Sequence, residues 1–119
     1  MGRMQTMDAL GDPVRRRIVE LLAAGTRPAG ELARSVGDAY GISQPAASRH
    51  LRVLREAGIV DSEIDGQRRL YSLRREAMDD VATWVENVRA FWDQRLDALE
   101  TEIARGNRAR RDSRTTPGA

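Results

Sequence analysis

The sequence predicts a mainly α-helical domain with a small two-stranded β-hairpin. Three observations predict it. Apolar residues recur at steps of three and four in several capped segments, which is the helical period. The segment IVDSEIDGQRRLYSL abandons that period for two short β-prone runs around Asp65-Gly66, a dipeptide favoured in tight turns. The helix immediately before the hairpin is basic on the side opposite its apolar stripe.

Met4, Met7 and Leu10 open the chain with a spacing that suits a short helix sticky on one side, and suits a frayed start equally well. Asp12-Pro13 then sets a capping side chain before a proline at the first helical position. Val14, Ile18, Leu21 and Leu22 follow at helical spacing, which predicts a helix from Pro13 to about Ala24 stopped by Gly25. Pro28 opens a second helical segment with Leu32, Val36 and Tyr40 at i+4, although Gly37 in its interior costs roughly 1 kcal/mol. Gly41 ends it, Ser43 caps the next helix, and that helix runs to about Ala57 and closes at Gly58. If the hairpin turn has two residues at Asp65-Gly66, Glu63 faces Arg68, while Val60, Tyr71 and Leu73 share the opposite face.

A long helix is expected from about Arg75 to Arg105, with Met78, Val81, Val85, Val88 and Trp92, then Leu96, Leu99 and Ile103, on one face. Trp84 and Phe91 widen that face beyond what one-sided packing in a small domain needs. A second copy of the chain is the expected cover, with Met4, Met7, Leu10, Val81, Trp84, Val85, Val88, Phe91, Trp92 and Leu99 in the interface. Residues 1–105 are therefore read as one domain, and the basic tail of residues 106–119 as disordered, since it has no apolar periodicity.

On a helical wheel with 100° steps, Ala47, Leu51 and Leu54 fall in one sector of the third helix, which must face the core. The outward side carries Pro45, Arg49 and Arg52, with Gln44 and Ser48 at its edge. Groups that donate to phosphates and base edges, in the first two turns of a helix packed from behind, are what reading a DNA groove requires. His50 lies about 60° from the centre of the core sector. It reads as a half-buried packing residue with one ring nitrogen satisfied.

Charge supports the same partner. The chain has 119 residues, no lysine and a net charge of only +2, but residues 42–75 carry a net +3, residues 76–103 a net −6 and residues 104–119 a net +4. Two segments thus suit a polyanion, double-stranded DNA above all. There is no cysteine, which removes disulfides, thiolate metal sites and thiol switches. No signal peptide or membrane-crossing run stands out, so the expectation is cytoplasmic, without a membrane partner.

The two helices joined through Gly41-Ile42, followed by a hairpin with Arg68 and Arg69 near its tip, make a winged helix-turn-helix. The runs ALGDPVRRRIVELLAAG, GELA, ISQPAASRHLRVLREAGIV, DGQRRLYSL and FWDQRLDALE resemble the ArsR/SmtB family of bacterial winged-helix repressors over roughly residues 5–105. The resemblance implies a homodimer joined through its first and last helices, binding an operator with dyad symmetry and leaving it when an inducer binds. Carried onto matching positions, it puts Ser43, Gln44, Pro45, Ser48 and Arg49 at the major groove and Arg68 and Arg69 on the wing.

Two departures bear on the signal. The family's familiar metal sensors use paired cysteines before the recognition helix, or His and Asp ligands on the last helix, and this chain has neither set. The expectation is therefore no metal and no cofactor, with the signal left to a small organic inducer or to protein abundance alone. The stretch from Glu31 to Ser43 is also about one turn longer than the family pattern, and the extra turn around Gly37 to Tyr40 is a candidate wall for a pocket.

Trp84, Phe91 and Trp92 are further candidates for an inducer pocket, against the plainer reading of interface packing. The acids Asp79, Asp80, Glu86, Asp93, Asp97, Glu100 and Glu102 read as a solvated face before they read as hard-cation ligands. A protein-interaction module that keeps the winged shape is the alternative function. An enzyme is not expected, because there is no phosphate-binding glycine loop, no cysteine and no second histidine.

Overall fold

The computed structural model describes residues 2–115, with side chains from 5 to 111. It orders the elements as α1 (Gly2–Ala9), α2 (Pro13–Ala23), β1 (Arg27–Pro28), α3 (Ala29–Tyr40), α4 (Gln44–Glu56), β2 (Val60–Asp65), β3 (Arg68–Leu73) and α5 (Arg75–Thr115). By contacts the chain divides into two compact units, one up to Thr83 and one from Trp84. No helix among the described residues is long and apolar enough to cross a membrane.

In the first unit the local signals act as their chemistry demands. Asp12 Oδ1 accepts from the backbone N–H groups of Val14 at 2.8 Å and Arg15 at 3.3 Å, so two otherwise unpaired donors of α2 are satisfied. Ser43 Oγ does the same for Ala46 N at the start of α4, at 3.2 Å. At the other end of α4, Ile59 N donates to Leu54 O and Gly58 N to Arg55 O, both at 3.0 Å, with Gly58 at φ 76°. That is a Schellman closure. Its apolar partner contact comes from Leu54 and Ile59, both fully buried.

One face of each helix supplies the core. Val14, Ile18 and Leu22 of α2, Leu32 and Val36 of α3, and Ala47, Leu51 and Leu54 of α4 pack with Ile59, Val60, Tyr71 and Ala77. Burial of a leucine such as Leu51 or Leu54 contributes roughly 1.5–3 kcal/mol, and together these two fix α4 against the domain.

The sheet corrects two expectations. It has three strands, not two, in the order β1-β3-β2, because Arg27 pairs with Tyr71 and Pro28 with Leu70. Two residues are too few to show any periodicity in sequence; only the free edge of β3 selects them. Within the hairpin, Asp65 rather than Glu63 faces Arg68, Glu63 faces Leu70, and the loop is Gly66-Gln67. Gly66 has φ 64° and no non-glycine residue among the described residues has positive φ, the pattern of a type II′ turn with glycine at its first central position. Moving the loop by one residue moves each cross-strand partner by two, so every side chain keeps its face. Val60, Tyr71 and Leu73 remain together on the inner side, and Tyr71 and Val60 are buried.

The long helix also differs from its expected length. α5 continues through Gly106 to Thr115, where the sequence suggests disordered chain. The segment holds four arginines, a good helix former, and a helix already nucleated extends one hydrogen bond per residue. Residues 116–119 of the expected tail lie outside the described residues.

Candidate nucleic-acid interface

The anchoring of α4 turns its remaining side outward. Ser43, Gln44, Pro45, Ser48, Arg49 and Arg52 are all exposed, while Ala47, Leu51 and Leu54 behind them are buried. Pro45 sits in the first turn of the helix, where its missing N–H costs nothing. Arg49 and Arg52 have no hydrogen bond or ion pair among the described residues, so both guanidinium groups keep all their donors for an external acceptor.

The hairpin carries the second basic group. Arg68 and Arg69 are adjacent in β3 and therefore point to opposite faces. Arg68 Nη2 reaches Asp65 Oδ2 at 3.3 Å, directly across the ladder, and Arg69 Nη1 donates to Ser62 Oγ at 3.1 Å. Both arginines are exposed, and an ion pair in water such as Arg68–Asp65 is weak enough to yield to a phosphate. Ile64, also near the tip, is 71% exposed.

His50 is half-buried, and its partner was invisible in the sequence. Arg15 of α2 donates from Nη1 to His50 Nδ1 at 3.2 Å, and also from Nε to Ala9 O at 2.6 Å. Asp12 Oδ1 lies 4.0 Å from the same ring nitrogen. Burial nudges the Asp12 carboxyl up, but the backbone N–H groups of Arg15 and Val14, with His50 and Arg15 charge nearby, hold it below its ordinary value. Arg15 thus positions the rear of α4. No periodicity or motif in the sequence marks that role.

The residues expected at a dimer interface are distributed unevenly. In the second unit, Trp84, Val85, Val88, Phe91, Trp92 and Leu99 are exposed, with Phe91 at 67% and Trp92 at 61%. In the first unit, Val81 and Met7 are half-buried, and Leu10 packs in part against the domain's own core. The Met4 side chain lies outside the described residues. Gly37 to Tyr40, the extra turn, forms the end of α3 and leaves Tyr40 exposed. Among the described residues no three His, Asp or Glu side chains converge as metal ligands.

Comparison with known proteins agrees with this geometry. A family model described as a helix-turn-helix domain matches residues 10–63. The transcriptional repressor SdpR of Bacillus subtilis is 35% identical over 79 residues, which is 66% of this chain and 83% of that protein. A solved structure of a possible transcriptional regulator for arsenical resistance is 33% identical, with a TM-score of 0.64 over 82% of this chain and 95% of that one. Another is the homodimeric winged helix-turn-helix DNA-binding domain of a possible ArsR-family transcriptional regulator from Mycobacterium bovis. It is 28% identical, with a TM-score of 0.56 over 80% of this chain and 82% of that chain.

Proposed function

The chain belongs to the ArsR/SmtB family of winged helix-turn-helix transcriptional regulators, and we propose that it represses by binding a palindromic operator as a homodimer until a signal releases it. The observation that carries this reading is the outward face of α4, where Arg49 and Arg52, unpaired among the described residues, stand beside Gln44 and Ser48 on a helix locked from behind. In a major groove, an arginine fork pairs with the O6 and N7 acceptors of guanine, and serine and glutamine add shorter-range contacts. Arg68 and Arg69 on the wing then reach the backbone or the adjacent minor groove.

The exposed stripe from Trp84 to Ile103 supports the dimer, because apolar side chains of that size gain most by being covered with a like surface. The related Mycobacterium bovis domain is a homodimer. Two recognition helices about 34 Å apart would enter successive major grooves on one side of the duplex. Release follows if a small organic inducer prefers a dimer whose helices are spaced differently, since a ligand shifts an equilibrium only by its differential affinity. The chain acts by binding, not by chemistry.

The test is a mobility shift with the promoter fragment of its own gene. Arg49→Ala should cost roughly 1–3 kcal/mol if Arg49 reads a base. Unchanged affinity in the double variant Arg49→Ala, Arg68→Ala would overturn the assignment.

A further inference from the structure

Two grooves in the first unit share wall residues and so adjoin, together lining a trough. The larger, about 600 Å³, has Pro28, Gly30 and Arg34 on one bank and Gln67, Arg68 and Arg69 of the wing on the other. The second, about 290 Å³, is lined by Gly30, Ala33, Arg34 and Gln44. Gly30 and Arg34 belong to both, so the trough runs from the first residue of the recognition helix, past α3, to the tip of the wing.

Its chemistry is that of an anion channel. Three arginines line it, and the one acid in its wall among the described residues, Glu31, is held by Arg27 at 2.8 Å. Arg34 is exposed and has no hydrogen bond or ion pair among the described residues. At Gly30 an added Cβ would meet no atom within 4 Å, so that bank opens on free space rather than on a packed joint.

We propose that this trough holds one sugar–phosphate strand of the duplex, with Arg34 as the phosphate contact that bridges the recognition helix and the wing. This rests on the DNA-binding reading above. A strand that leaves Gln44 for Arg68 must pass something, and the wall it passes presents an unpaired guanidinium. Such a contact carries no base information. It sets register and adds affinity through counterion release.

The experiment is fluorescence anisotropy of full-length protein on the operator and on an unrelated duplex across a salt series. Arg34→Ala should weaken both duplexes by about the same factor, on the order of tenfold, and lower the salt slope by about 1 per subunit. Gly30→Glu puts a carboxylate in the channel at a position favourable for the start of a helix, so it should weaken binding with the fold intact, whereas Gly30→Ala should bind as the wild type does. Unchanged affinity and slope in Arg34→Ala, while Arg49→Ala still loses binding, would overturn the channel alone. A loss confined to the operator would overturn the phosphate assignment. Wild-type protein that binds neither duplex would overturn the DNA-binding reading itself.

Discussion

Arg15 Nη1 on α2 and His50 Nδ1 on α4 are 3.2 Å apart, a hydrogen bond between residues separated by 35 positions in sequence. An arginine can only donate, so Nδ1 accepts this bond in the ring form that carries its proton on Nε2 alone. The bond ties the back of α4 to α2 in the same turn that leaves Arg49 exposed. A double-mutant cycle with Arg15→Met and His50→Phe should give a coupling of about 1 kcal/mol in urea denaturation. Strict additivity of the two variants would show that the contact holds nothing.

Asp12 predicts a specific acid dependence. Its folded carboxyl lies below the ordinary value of 3.8, so its contribution is present in full above the unfolded pKa and lost as pH falls through the folded one. Asp12→Asn keeps an oxygen for the cap and removes that titration; Asp12→Ala removes the cap and should cost about 1 kcal/mol at neutral pH. Acid-unfolding curves of the three proteins check this, with Asn flatter than wild type below pH 4, a limit set by the ordinary value of 3.8.

Gly66 decides the shape of the wing. At φ 64°, a Cβ is strained in the hairpin loop, so Gly66→Ala should destabilise by roughly 1–2 kcal/mol and shift the Asp65–Arg68 pairing. Amide exchange in β2 and β3 should rise while α2 and α4 stay protected. Equal protection throughout would mean that the loop does not govern the register.

The apolar stripe of α5 predicts a change of mass. Phe91 and Trp92, at 67% and 61% exposure, are the most open large side chains of that stripe. The double variant Phe91→Glu, Trp92→Glu should halve the mass seen by light scattering at micromolar protein and weaken operator binding, because half-sites then bind one at a time. A mass that stays at two chains would place the dimer contact elsewhere.

The helices were legible because their signals are local. Asp12-Pro13 and Ser43 with Pro45 mark helix starts by chemistry that acts within one turn, and Ala47, Leu51 and Leu54 mark a buried face by spacing alone. The outward set on α4 followed from the same wheel, as did the half-buried position of His50. The tail carries no such signal. Periodicity reports an apolar face, and the polar end of α5, up to Thr115, has none to see.

By itself, then, the sequence determined the helices α2 to α4 and most of α5, which of their faces are apolar and that the hairpin's inner face holds Val60, Tyr71 and Leu73. Tertiary structure alone decided that Arg27 and Pro28 become a third strand, that Asp65 and not Glu63 opposes Arg68, and that Arg15 meets His50. It also brought Arg34 to the same trough as Arg68 and Arg69. The physical reason is one of range. Caps and periodic faces are settled among residues a turn apart, whereas strand pairing and side-chain convergence depend on which distant surfaces the core brings together.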